Sequence, residues 1–141
     1  MYLIGTNVIS ETRKGERANA GVRDFEARVQ REGAQLYLAA VTVGELRRGA
    51  DMARHRGDAV QATQLDQWLT VLLSDYIGHI LALDSDTAQL WGRLRVPHHE
   101  NAIDKQIAAT ALIHDLVLVT RNTADFIGTG VKLLNPFSAS H

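Results

Sequence analysis

Five short apolar runs, MYLI, QLYLAAV, HILAL, LVLVT and VKLLN, alternate with stretches whose apolar residues recur at helical spacing. That alternation restricts the chain more than any other feature. Parallel strands cannot be joined by tight turns and need crossovers of a dozen or more residues, which helices supply. LVLVT and its companions are rich in Leu, Val and Ile and lack polar alternation, as strands buried on both faces do. The expectation is an α/β fold with a parallel sheet covered by helices on both sides. A chain of 141 residues suits one domain, 1–141, that buries its own core without staples.

Met1 to Ile4 predict the first strand, and the helix after it takes Thr6 or Asn7 as its cap. Val22, Phe25, Ala27 and Val29 predict a surface helix over Asn19 to Glu32, ended by Gly33. After QLYLAAV, Thr42 is expected to cap a helix to about His55, and Gly57 and Asp58 separate it from a long helix to about Asp75. Leu65, Trp68, Leu69, Leu72 and Leu73 form the apolar stripe of that helix and read as core. HILAL is followed by a helix that Asp84 to Asp86 open and Pro97 closes. VKLLN is the last strand, and FSASH reads as a frayed tail.

Fifteen basic residues stand against sixteen acidic ones, so a nucleic-acid or membrane contact must be local and not a property of the net charge. Without cysteine there is no disulfide and no thiolate metal site. The start, MYLIGTNV, has no basic segment before an apolar run, and no stretch approaches the roughly 18 apolar residues of a membrane span. A cytoplasmic protein with no membrane partner is expected.

The stretch from Asn101 to Phe126, NAIDKQIAATALIHDLVLVTRNTADF, carries the chemistry. Asp104 lies on the same helical face as Ala108 and Ala111, so its carboxylate projects from an apolar surface. A charge there must be paired, hydrogen-bonded, metal-bound or protonated. The polar turn from Thr120 to Asp125 follows LVLVT at the strand's carboxyl end, the edge where open parallel sheets bind ligands. Glu45, Asp104 and Asp125 each stand just past a strand end or at a helix start. Each is also spaced as part of a capping box, Thr42 with Glu45, Asn101 with Asp104 and Asn122 with Asp125. In parallel strands, however, Glu45 and Asp125 converge on one edge, within reach of Asp104. A cluster of hard oxygen ligands without His or Cys suits Mg²⁺ or Mn²⁺ and not zinc. His98, His99 and Glu100 read as an exposed loop, and His79 and His114 as partners of backbone groups.

MYLIGTNVISE, VTVGELRRGA, IDKQIAATA with LVLVTRNTADF, and LLNPF occur in this order, and together they resemble the PIN domain ribonucleases of the VapC and FitB kind, toxins of bacterial toxin-antitoxin pairs. The resemblance implies a three-layer α/β/α fold, an acidic pocket for one or two divalent ions, and hydrolysis of RNA. It implies that Glu45 and Asp104 are metal ligands or orient the metal's water, and that Thr6 and Asn7 help to hold the site. Asn122 or Asp125 occupies the fourth acidic region, and the sequence leaves open which of them faces the pocket. Arg121 is the implied RNA contact beside the site, with Arg47, Arg48, Arg54 and Arg56 as further candidates. The implied partners are a homodimer mate, a small VapB- or FitA-like antitoxin, and operator DNA through that antitoxin only.

One position departs from the pattern. The family carries aspartate in D-T-N after the first strand, and here Gly5 stands in its place. Glycine coordinates nothing, and losing one of about four carboxylates weakens the pull on a divalent cation. Because the flanking residues keep the pattern, a recent single substitution is the favoured reading over a degenerate copy. Two functions follow: an endoribonuclease toxin impaired at one ligand, or a catalytically silent PIN fold that dimerises and binds an antitoxin. A phosphotransfer protein is disfavoured, because its nucleophilic acid would stand where Gly5 does.

Overall fold

The computed structural model describes residues 1–138. Strands β1 (Tyr2–Ile4), β2 (Leu36–Ala39), β3 (Ile80–Leu81), β4 (Val117–Val119) and β5 (Leu133–Leu134) form one sheet in the order β3-β2-β1-β4-β5. Every pairing is parallel. The chain steps outward from β1 to β3 and then returns to lay β4 against the free side of β1. The order therefore reverses between β1 and β4, and at such a reversal the connections diverge and leave a crevice beyond the carboxyl ends.

The crossovers are α1 (Thr6–Thr12) and α2 (Ala20–Glu32), then α3 (Ala40–His55) and α4 (Ala59–Asp75), then α5 (Ser85–Leu94) and α6 (Ala102–Ile113). Alternation along each strand divides the core in two. Ile4, Leu38 and Val119 face a cluster with Val8, Val22, Phe25 and Leu69. Leu3, Ala39 and Leu118 face the opposite cluster with Ile107, Ala108, Ala111 and Phe126. The register agrees, since Leu3 pairs with Leu118 and Ile4 with Val119, so residues on one face stay together across the sheet. This is the expected three-layer α/β/α arrangement. No helix among the described residues is long and apolar enough to cross a membrane.

Local signals held where the chain itself closes the turn. The Asn19 carboxamide oxygen accepts from the amides of Gly21 at 2.9 Å and Val22 at 3.4 Å, and Gly33 ends α2 in the left-handed conformation. Asp84 caps α5 through the Thr87 amide. Three expected caps are corrected. Gly5, and neither Thr6 nor Asn7, precedes α1. Helix α3 starts at Ala40, directly after β2, so Thr42 lies inside its first turn and is fully buried. Asn101 adopts a left-handed backbone and makes no side-chain cap to α6.

The tail is also better fixed than expected as far as it is described. The Ser138 amide donates to the Asn19 side chain at 2.8 Å, and Phe137 packs against the first cluster. The last three residues of FSASH lie outside the described residues.

Candidate functional site

A cleft of about 250 Å³ opens at the carboxyl edge, lined by Gly5, Thr6, Asn7, Glu45, Asp104, Thr120 and Asn122, with Ile103, Ile107 and Phe126 as apolar walls. Its floor is the reversal of strand order: Gly5 to Asn7 leave β1, and Thr120 to Asn122 leave β4. Helix α3 carries Glu45 in from one side and the first turn of α6 carries Asp104.

Neutral hydrogen bonds hold the floor. The Thr6 hydroxyl donates to the buried Thr42 hydroxyl at 3.3 Å. Asn7 spans the two strand ends, its amide donating to the Thr120 hydroxyl at 3.5 Å while its oxygen accepts from the Arg121 amide at 3.3 Å. Thr120, only 3% exposed, also accepts from the Asn122 amide at 3.1 Å. One buried hydroxyl thus ties Asn7 to Asn122. A buried acceptor with two donors is rigid, because losing either leaves a polar group unmet.

The carboxylates are treated differently. Neither Glu45 nor Asp104 takes part in an ion pair among the described residues. Partial burial holds the Asp104 carboxyl above its ordinary range, and the negative charges of Asp125 and Glu45 push it further. Asp104 sits in the first turn of α6, where the helix dipole favours an anion. Burial and carboxylate repulsion override that help. The capping-box readings of Glu45 and Asp104 fail with the caps themselves: Glu45 lies in the second turn of α3, and Asn101 does not cap.

The two candidates for the fourth position line neighbouring depressions. Asn122 lines the cleft, whereas Asp125, on the 3-10 turn Thr123–Phe126, opens onto a neighbouring depression with Asn101, Lys105 and Thr129. From there the Asp125 charge still acts on Asp104, ahead of that of Glu45. Asn122 and Asp125 form no capping box either.

Gly5 is buried and lines the cleft. Its backbone is extended, at φ −70° and ψ 159°, so any residue could adopt it. Space is the constraint: a Cβ there would stand 2.9 Å from the Val119 carbonyl oxygen, which already accepts the Gly5 amide at 2.8 Å. The β1–β4 pair must shift to admit a side chain.

For a cation, the donors are all hard oxygens: two carboxylates, the Asn7 and Asn122 carboxamides and the Thr6 and Thr120 hydroxyls. Among the described residues no three acidic or histidine side chains come together as a metal-binding group. Two carboxylates still meet what a largely hydrated Mg²⁺ uses, since it keeps several waters and takes one or two carboxylates from the protein. The residues therefore fit a weakly held hard ion and not zinc.

Sequence reasoning missed Thr120 as the joint between Asn7 and Asn122. The other motifs stay apart from the cleft. His98 and Glu100 are exposed at 80% and 61%. His79 places Nδ1 2.9 Å from the Leu36 carbonyl oxygen, and the Trp91 indole donates to the Ala102 carbonyl. Arg47 and Arg54 both engage Asp66, and Arg54 also engages Asp51, so neither guanidinium is unpaired.

The PIN domain model matches residues 2–130. Toxin FitB of Neisseria gonorrhoeae is 32% identical, over 97% of this chain and 99% of that protein. VapC ribonuclease Y4jK of Sinorhizobium fredii is 31% identical, over 97% and 98%. Among solved structures, FitAcB from Neisseria gonorrhoeae superposes with a TM-score of 0.81 at 32% identity, covering 96% of this chain and 98% of that one. FitAB bound to an IR36 DNA fragment superposes at 0.78 with 31% identity, covering 100% and 99%. With the sheet order, the cleft at the strand reversal and near-complete coverage all in agreement, the chain belongs to the PIN domain family.

Proposed function

We propose that the chain is an endoribonuclease toxin of a type II toxin-antitoxin pair, metal-dependent and impaired by Gly5. The observation that carries this reading is the pair of unneutralised carboxylates, Glu45 and Asp104, in a cleft at the strand reversal of a PIN fold. Carboxylates without a cationic partner among the described residues, one of them pushed upward by burial and repulsion, are poised to gain from a divalent ion. Mg²⁺ or Mn²⁺ in such a cleft supplies Lewis acidity and a water of lowered pKa.

The chain's own residues would do the rest. Glu45 and Asp104 would hold the ion and would orient the attacking water by accepting its hydrogen bonds. Asn122, Thr6 and Asn7 fix the oxygen lining of the cleft, and Asp125 adds negative potential from outside it. Arg121 attracts the phosphodiester that an acidic pocket alone would repel. No covalent intermediate is required.

Likeness to FitAB bound to DNA and to Toxin FitB supports a FitA- or VapB-like antitoxin as partner and contact with operator DNA through that antitoxin, and a homodimer belongs to the same proposal. A cytoplasmic location accords with this role. The second reading, a catalytically silent antitoxin-binding module, is favoured by Gly5 alone, since that position contributes no ligand.

RNA cleavage with Mg²⁺ or Mn²⁺ tests the assignment on three proteins: this chain, Gly5→Asp, and Gly5→Asp with Asp104→Asn. The expected result is cleavage by Gly5→Asp faster than the other two by more than about 100-fold, a loss larger than removing a ligand's supporting partner causes. Three inert proteins that remain folded and bind antitoxin would leave the binding module standing.

A further inference from the structure

A second and larger cavity, about 520 Å³, adjoins the cleft and is lined by Glu11, Arg17, Asn19, Arg121, Asn135 and Phe137. Its volume falls in the range of small-molecule pockets, about 300–1,000 Å³. Its position follows from the parallel sheet. The Thr120 amide donates to the Leu134 carbonyl at 2.9 Å, so Asn135 to Phe137 leave β5 at the edge where Arg121 leaves β4. The Arg121 amide is bonded to Asn7, a wall of the acidic cleft, so the two cavities share a boundary.

The lining chemistry is specific. The Arg121 guanidinium lies over the Phe137 ring, 4.9 Å from its centroid. Neither Arg121 nor Arg17 is in an ion pair among the described residues, unlike Arg47 and Arg54 on α3. The one carboxylate present, Glu11, is already engaged by Lys14 at 3.0 Å and by the Asn19 amide at 2.9 Å. Asn19 in turn anchors Ser138 and so fixes the segment carrying Phe137. Two guanidinium groups in no ion pair among the described residues, one of them stacked on an aromatic ring and acting on Glu11 only through its charge, match a phosphate and an unstacked base.

We propose that this groove is a subsite for one nucleotide of single-stranded RNA adjacent to the scissile phosphate, with Arg17 and Arg121 on the phosphate and Arg121 with Phe137 forming the base-stacking platform. The inference rests on the nuclease reading of the neighbouring cleft. A duplex cannot present an unstacked base here, which selects single strands.

Anisotropy of a short fluorescent single-stranded RNA, read as affinity against salt, tests the subsite without using cleavage. Arg17→Ala and Arg121→Ala should each weaken binding about tenfold and lower the salt slope by about 0.7, the value for one phosphate contact on a single strand. Arg121→Lys should restore the slope but not the affinity, because an ammonium keeps the charge and loses the planar face. Phe137→Leu, which keeps the apolar packing, should weaken binding with the slope unchanged, and Lys132→Ala, at the exposed amino end of β5, should leave both unchanged. RNA binding by this chain that all groove variants retain overturns the subsite and leaves the nuclease reading intact. A folded parent chain with no affinity for single-stranded RNA overturns both.

Discussion

Acidic residues on and beside helix α3 stand in two settings of opposite character. At the outer face, where α3 packs on α4, Asp66 accepts from Arg47 at 2.7 Å and also engages Arg54, and Arg54 reaches Asp51 at 2.9 Å. The Arg47 hydrogen bond, with Arg54 beside it, holds the Asp66 carboxyl below its ordinary range. Nearer the start of α3, Glu45 lines with Asp104 a cleft to which no Lys or Arg side chain contributes among the described residues, and the Asp104 carboxyl is held above its range. The outer patch neutralises its charges and leaves them near solvent. The cleft leaves its charges unneutralised and fixes its neutral polar groups by burial. Uncompensated acids on a rigid floor mark a site that a ligand completes, and compensated acids on a surface mark helix packing.

The largest effect on stability should come from that floor. Thr120→Ala leaves the Asn122 amide and the Asn7 carboxamide without their shared acceptor, and should cost about 1–3 kcal/mol in urea unfolding. Thr120→Ser, which restores the hydroxyl, should recover most of it. A cost near zero for Thr120→Ala would mean that the floor gains nothing from this hydroxyl.

The charge contrast predicts effects of opposite sign for two isosteric changes. Asp66 has a lowered folded pKa, so its stabilising contribution is present above the ordinary aspartate value of about 3.9 and is lost as pH falls through the folded value. Asp66→Asn should therefore lower Tm slightly at neutral pH and low salt, because exposed ion pairs contribute little. The deficit should shrink toward zero in acid and near 1 M salt, where screening shortens to about 3 Å. Asp104 has a raised folded pKa, so the folded state loses stability as pH rises from about 3.9 through the folded value. Asp104→Asn should raise Tm at neutral pH by a few degrees at most, after allowing for solvent screening, and should match the parent in acid. Melting curves across pH check both, and shifts of the same sign would break the comparison.

The contrast also explains what could be read from the chain alone. Strand and helix order was legible because LVLVT and QLYLAAV are short continuous apolar runs while the Leu65 to Leu73 stripe recurs at helical spacing, and both patterns belong to neighbours in sequence. Glu45 and Asp104 were legible as candidates because a parallel sheet gathers its carboxyl ends on one edge. Thr42 was misread as a cap because the start of α3 is set by where β2 stops pairing, and not by the nearest capping residue. Which depression Asn122 and Asp125 each line depends on how the chain turns after β4, which no local pattern sets. Thr120 joins Asn7 across 113 positions of sequence, a contact that no local pattern encodes. Gly5 was legible as an absence, but the closeness of Val119 to it was not.

Manganese titration by calorimetry, on this chain and on Gly5→Asp, addresses the central claim most directly, once melting curves have shown both proteins folded. Gly5→Asp should melt lower without metal, because its Cβ crowds the Val119 carbonyl and overpacking costs about 1–3 kcal/mol. It should nevertheless bind Mn²⁺ more tightly than this chain by more than about tenfold, at one site that Asp104→Asn removes. Equal affinities for the two folded proteins, or tighter binding that survives Asp104→Asn, would contradict the assignment of this cleft as a metal site weakened by glycine at its first ligand.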